Sequence, residues 1–384
     1  MNGRDPAEEH RASTPLELLF DLCFVVAVAQ AAAQLHHALT EAHVGPGLLG
    51  YAMVFFAIWW AWMNFTWFAS AYDTDDALYR LLTLLQMAGV LTLAAGVPAA
   101  FTRYDFTVIT IGYVIMRVAL VGQWLRAARD HPAGRSAALR YAAGVSLVQV
   151  GWLLRLALPH PFDYAGFAVL VAAEIAVPVW AEYSGRLTNW HPGHIAERYG
   201  LFTIIVLGEV ILAALTGFQS ALTEHGLSPQ LLLIAIGGLV LVFGLWWIYF
   251  TGVDAEFAGL RTALTWGYGH YVVFAAVAAL GAGLEVAIDA TEHRSHVTEQ
   301  VAALAVAVPV VVYLLVLAPL HRLTHAGPPS PFALVLAGPI VVLALAFTTA
   351  LFGLGGTVLA MGLAVAATVS GKLATGRTAG AVPT

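Results

Sequence analysis

Charge is scarce in this sequence. Only 10% of its 384 residues are Asp, Glu, Lys or Arg, against about 25% in an average soluble domain. Hydrophobic residues make up 60%, and the mean hydropathy is +0.80. That balance excludes a soluble globular enzyme and places the chain in a lipid bilayer. Lysine occurs once, at Lys372. The net charge of −6 at pH 7 is small for the length; it gives no sign of nucleic acid, and none is expected as a partner. Cysteine also occurs once, as Cys23 inside an apolar run, so no disulfide within the chain and no redox motif is possible. No small-residue cleavage pattern follows the first apolar run, so the first helix is expected to be retained rather than removed as a signal peptide.

What the sequence does have is a series of runs near the 20 or so apolar residues a membrane-spanning helix needs. They cover 16–37, 46–69, 78–101, 105–126, 137–158 and 164–184, then 195–217, 229–251, 264–287, 299–320, 332–352 and 356–373. The breaks carry Pro and Gly: "HPAGR" at 131–135, "LPHPFD" at 158–163, "HAGPPSP" at 325–331. Between the last two runs stands only "GLGG", Gly353 to Gly356. The expected fold is therefore all-α, a polytopic membrane protein of about twelve transmembrane helices.

The basic residues fit this count. The N-terminus, the even loops and the C-terminal tail hold Arg4, Arg11, Arg80, Arg126, Arg129, Arg135, Arg140, Arg186, Arg198, Arg261, Arg322, Lys372 and Arg377, whereas the odd loops hold only Arg103, Arg155 and Arg294. Cytoplasmic loops are enriched in Lys and Arg. Both termini are thus expected in the cytoplasm and the chain in a bacterial cytoplasmic membrane.

A repeat is visible in the same pass. "FFAIWWAWMNFTWF" in the second run is echoed by "LVFGLWWIYFTG" in the eighth, and "QMAGVLTLAAG" in the third by "HYVVFAAVAALGAG" in the ninth. Six spans per half is an even number, so the halves share orientation and form a parallel repeat, an arrangement found in transporters. The expected division is a tail at 1–15, six-helix halves at 16–190 and 191–373, and a tail at 374–384.

Ionisable residues inside spans are costly, and they mark pairs or bound species. Glu17 and Asp21 open the first span one turn apart on one face. Arg117 is near the middle of the fourth span and Glu174 of the sixth, with Glu182 two turns on. In the seventh, His194, Arg198 and Glu209 share a stripe, because eleven positions at 100° each leave Arg198 and Glu209 about 20° apart. For Arg117 with Glu174 or Glu209, a structural ion pair and a functional polar pathway stand side by side. For Glu17, helix capping competes evenly with function. "YDTDD" (Tyr72 to Asp76) reads as a loop whose Asp side chains start the third span rather than as a calcium loop. His191, His194 and Glu197 have a zinc-like spacing, but Pro192 and Gly193 place His191 in the preceding loop, so no metal is expected and no cofactor. The tryptophans read as interfacial or packing residues, with Trp60 and Asn64 as candidates to line a cavity.

"TPLELLFDLCFVVAVAQ" (Thr14 to Gln30) and "HIAERYGLFTIIVLGEVI" (His194 to Ile211) resemble the two signature blocks of the bacterial low temperature requirement A proteins. Leu19, Cys23 and Tyr199 are mild departures from that pattern. "WMNFTWFASAYDTDDALYRLL" resembles the family's segment joining the second and third spans. The resemblance implies a site among Glu17, Asp21, His194, Glu197, Arg198 and Glu209, and with Arg117 and Glu174 these form the candidate set. It brings no reaction with it, and no nucleophile–base set is visible. The reading is a secondary transporter of an unidentified small solute or ion, linked to growth in the cold. A cation channel and a non-transporting membrane protein of cold or envelope stress are the alternatives.

Overall fold

The structure is a computed structural model that describes residues 1, 3–5, 8, 11–182, 188–251, 257, 259–324 and 332–379. Arg186 and the break at 325–331 lie outside the described residues, as do the side chains of Lys372 and Arg377. Among the described residues there are twelve α-helices and no strand. In chain order they are α1 (Pro15–Thr40), α2 (Val44–Tyr72), α3 (Ala77–Arg103), α4 (Thr107–Asp130), α5 (Arg135–Arg155), α6 (Phe162–Glu182), α7 (Pro192–His225), α8 (Pro229–Phe250), α9 (Leu260–Thr291), α10 (Glu299–Thr324), α11 (Phe332–Leu345) and α12 (Thr349–Ala379). Eleven are long and apolar enough to cross a membrane; α11 is the shorter one. The chain is an all-α polytopic membrane protein.

Helix boundaries follow local chemistry. Thr14, Pro15 and Glu17 form a capping box at the start of α1: Glu17 Oε2 accepts from Thr14 N (2.8 Å), Glu17 N donates to Thr14 Oγ1 (3.3 Å), and Pro15 takes the first helical position. Asp76 caps α3 by accepting from Tyr79 N at 2.9 Å, so "YDTDD" is a helix start as its sequence indicates. His191 caps α7 through Nδ1, which accepts from His194 N at 3.1 Å. Arg11 donates to the carbonyls of Ala69 and Ser70, the last turn of α2, where a cation also meets the negative end of the helix dipole.

The last two spans depart from the expected run of 332–352. Helix α11 stops at Leu345, a turn covers Ala346–Thr348, and α12 begins at Thr349 with Gly353 non-helical at φ 68° and ψ 171°. The "GLGG" break is real, but it is preceded by a second one. Only a glycine takes that φ without strain. Gln230 of α8 packs into the break, its Oε1 accepting from Gly355 N at 2.7 Å, which satisfies backbone freed within an apolar region.

The chain separates into two compact units, Met1–Ala31 with Met53–Tyr199, and Ala32–Ala52 with Gly200–Thr384. In the first, α3 packs on α4, α4 on α5 and α5 on α6; in the second, α8 packs on α12, and α9 and α11 on α10. The α3–α4 pairing is close because small residues face each other. A Cβ on Gly112 would lie 2.5 Å from both Gly89 O and Leu93 N. Within the same pair Gln86 Nε2 donates to Gln123 Oε1 (2.9 Å), and Gln123 Nε2 donates to Thr83 Oγ1 (3.2 Å). The two Trp pairs of the sequence echo differ in burial. Trp59 and Trp60 are buried, whereas Trp246 and Trp247 are exposed on the surface of their unit.

Two outcomes are expected. Gly112→Ala forces α3 and α4 apart and lowers stability by about 1–3 kcal/mol, whereas Gly122→Ala, with Leu82 Cδ2 3.8 Å from the new Cβ, leaves the melting temperature unchanged in detergent. Arg126 holds Asp76, which lies in the loop, below its ordinary carboxylate value of 3.8, the Arg126 hydrogen bond being the largest cause. A lowered folded-state value means stability present above the unfolded value and lost as pH falls through the folded one. The melting-temperature gap between the wild type and Asp76→Asn is therefore full at neutral pH and closes only below about pH 4.

Candidate functional site

Within the first unit, two buried charge clusters flank α2. Trp60 and Trp62 of that helix are two positions apart, about 3 Å in height and about 200° in direction, and each donates its indole N–H to a different carboxylate. Trp62 Nε1 donates to Asp21 Oδ1 at 2.7 Å, and Trp60 Nε1 to Glu174 Oε2 at 2.7 Å.

The first cluster joins α1 to the start of α7. Arg198 Nη2 donates to Asp21 Oδ1 at 2.5 Å, and its Nη1 is 3.8 Å from Glu17 Oε1. His194 Nε2 is 3.2 Å from the same Glu17 oxygen. All four residues are 0% exposed. Glu17 caps α1 with Oε2, which also lies 3.4 Å from His194 Nε2, while Oε1 is the oxygen nearest Arg198. Several polar atoms here make no hydrogen bond within the described residues: Asp21 Oδ2, Arg198 Nε and Nη1, and His194 Nδ1. Glu197, half-buried, accepts from Ser13 N at 3.0 Å and tethers the segment before α1. Beside the cluster, in the loop after α2, Asp73 sits 3.6 Å from Arg11, both nearly buried. Burial, followed by the charge of Glu17, pushes the Asp73 carboxyl above its ordinary value, and Arg11 opposes them.

The second cluster joins α4, α5 and α6. Arg117 Nη2 is 3.2 Å from Glu174 Oε1 and donates to Tyr113 Oη at 2.6 Å, while Trp152 Nε1 donates to Glu174 Oε1 at 3.1 Å. Arg117 and Glu174 are 2% and 1% exposed. Of the two carboxylates the sequence offers Arg117, Glu174 is the partner. The pair is neutral and walled by aromatic rings, with the Arg117 Cζ 4.6 Å from the Tyr113 centroid. Glu182, further along α6, is occupied structurally, accepting from Thr188 N (2.8 Å) and Tyr141 Oη (3.1 Å).

Glu209 belongs to the second unit, where it is half-buried. Elsewhere in that unit His36 Nε2 meets Asp289 at 2.7 Å and its Nδ1 is 3.9 Å from Glu285. His270 is locked: Nδ1–H donates to Trp266 O (2.8 Å), leaving Nε2 to accept from Tyr249 Oη (3.1 Å).

Sequence reading misses Trp62, Trp152, Tyr113 and the Arg11–Asp73 pair. For Tyr113 the spacing to Arg117 on one helix face is a usable signal. For Trp62, the mid-span position was the signal, since an indole N–H in hydrocarbon needs an acceptor. Trp152 and Arg11 carry no such mark.

These features define a polytopic membrane protein with charge clusters sealed inside one helical unit. The chain belongs to the bacterial low temperature requirement A protein (LtrA) family, whose family model matches residues 12–367. It is similar to an uncharacterized protein of Rhizobium meliloti (strain 1021), 32% identical over 256 residues, or 64% of this chain. That match spans 60% of the relative's own length. The two sequence blocks, from Thr14 and from His194, are the ones that meet in the first cluster.

Removing Arg198 leaves two buried carboxylates without a permanent cation. Arg198→Leu is expected to lower stability by about 3–5 kcal/mol. Asp21→Asn costs less, because Trp62 and Arg198 keep an oxygen to donate to. Thermal unfolding of both variants in detergent checks the ranking, and equal losses would contradict it.

Proposed function

We propose that this chain is a secondary transporter whose exchangeable proton resides in the Glu17–His194–Arg198–Asp21 cluster. One observation carries the reading: two fully buried acids face one permanent cation. An uncompensated charge in a low-dielectric interior is costly. Neutrality therefore requires one proton, held by His194 or by a carboxyl. Proton coupling needs a buried group of this kind, able to take and release a proton as its surroundings change. The Arg117–Glu174 pair has no such imbalance and acts as a structural brace for α4, α5 and α6. In this reading the two halves form a parallel six-plus-six repeat, both termini are cytoplasmic, and the bilayer is the bacterial cytoplasmic membrane. Its role is in growth at low temperature, the property the family's description names. Glu209 is assigned to the solute pathway, because it is a half-buried carboxylate deep in the α7 span.

The test is solute-driven acidification in proteoliposomes carrying an internal pH-sensitive dye, screened over a panel of solutes. Wild type is expected to give a pH change with its solute, and Asp21→Asn to abolish it while the protein still elutes as a folded peak. An unchanged response in Asp21→Asn would remove this assignment. Steady unitary currents in planar bilayers would identify a cation channel instead.

A further inference from the structure

The second unit carries a charge cluster of its own, apart from the Asp21 site. Near the end of α1, His36 stands between two acids of α9 that lie one turn apart on one face. Its Nε2 is 2.7 Å from Asp289 Oδ2, and its Nδ1 is 3.9 Å from Glu285 Oε2. The side chains of His36, Glu285 and Asp289 are 24%, 19% and 19% exposed. From the loop after α9, Arg294 Nη2 reaches Asp289 Oδ1 at 3.0 Å, and its Nη1 lies 3.2 Å from Glu224 of α7. The same loop returns to the end of α1, where His296 N donates to Thr40 O at 2.8 Å and His296 Nδ1 is 3.4 Å from Glu41. Helix α7 also faces Glu285: a Cβ on Gly217 would lie 3.7 Å from Glu285 Cγ, and Glu209 interacts with Glu285 electrostatically.

Two features of this arrangement favour a proton on the ring. The first is the donor count. A neutral imidazole has one N–H and one lone pair. With the N–H given to Asp289, the Nδ1 lone pair would face the Glu285 carboxylate, acceptor against acceptor. Only the imidazolium presents an N–H on both sides. The second feature is charge. Against the four acids named, Glu209, Glu224, Glu285 and Asp289, stands one permanent cation among the described residues, Arg294. Acid is in excess even if the exposed Glu224 is left out. A cation between Glu285 and Asp289 reduces that excess and offsets the repulsion of like charges at i, i+4.

We infer that His36 is a proton-binding site that works as a pH latch: the charged ring fastens the end of α1 to α9, and loss of the proton releases it. Histidine is the side chain whose charge ordinarily changes near neutral pH. A paired imidazolium contributes stability at low pH that is lost as the pH rises through its titration. Loss of the proton also leaves Glu285 facing Glu209 without its cation, so the state of the latch is passed to Glu209. This last step rests on the reading of Glu209 as part of the solute pathway; the latch itself does not.

The experiment is NMR of the full chain in nanodiscs, carbon-labelled at histidine Cε1, whose shift reports the charge of the ring. The His36 signal is the one lost in His36→Gln. At about pH 7.5 an ordinary histidine is about one-tenth charged; His36 is expected to be mostly charged there, and less so in folded Glu285→Gln. Hydrogen exchange at residues 292–298 reads the latch, each pair of proteins being compared at one pH. Wild type is expected to exchange about tenfold more slowly than His36→Gln, which keeps a donor for Asp289, at about pH 6, and to lose that advantage by about pH 9. Glu285→Gln identifies the signal and replaces His36→Gln in the exchange comparison if the latter does not fold. A neutral wild-type ring would overturn the proposal, as would a ring charge indifferent to Glu285→Gln. An exchange difference of the same size at both pH values marks packing alone and overturns the latch. None of these readouts involves a solute, so failure of the transporter reading would leave them standing.

Discussion

The contact between Arg198 and the carboxylates of Asp21 and Glu17 is the constraint around which the first unit is organised. A single charged residue at the centre of a membrane helix costs about 2.5–3.5 kcal/mol, and here several are 0% exposed. Such groups are tolerable only when each finds a partner at short range, so the start of α1 and the start of α7 must meet in one register. Shifting either helix by one residue would turn Asp21 or Arg198 by about 100° and leave the other buried alone. The pair thus specifies geometry more than it adds net stability.

The rest of the unit is arranged to serve that contact. The capping box at Thr14 sets where α1 begins and hence where Glu17 points. His191 does the same for α7 and His194. Arg11 holds the end of α2, which carries Trp62 to Asp21 and Trp60 to Glu174. Helix α2 therefore orients both carboxylates through indole N–H groups on opposite faces. The two clusters differ in charge balance: the one around Glu174 is neutral, while the one around Asp21 has an acid in excess. In the proposed reading, this difference separates a structural brace from the site that holds the exchangeable proton.

Much of the fold was legible from hydropathy, because a bilayer core demands a fixed length of apolar helix and a sequence displays that length directly. The breaks near Pro132 and the Asp76 cap were readable for the same kind of local reason. The end of α11 was not: nothing in "LALAFTTALF" breaks a helix strongly, and the turn at Ala346–Thr348 goes with α12 packing on α8, where Gln230 satisfies the backbone. Of the candidate residues, Glu17, Asp21, His194 and Arg198 converge, as their positions near two helix starts allowed. Arg117 met Glu174 rather than Glu209, a choice between distant segments that spacing along one helix cannot make. Trp152, near the end of its span, stayed hidden because an indole there looks the same whether it packs at the boundary or donates.

By itself the sequence determined the membrane class, the helix number and which charges would lie in the apolar region, since each depends on composition over a local window. Tertiary structure decided which charge meets which, that Trp60 and Trp62 serve different acids, and that Arg117 pairs with Glu174. Pairing in a low-dielectric interior depends on distances of a few ångströms between residues far apart in the chain. Helix packing sets those distances, and local periodicity does not encode them.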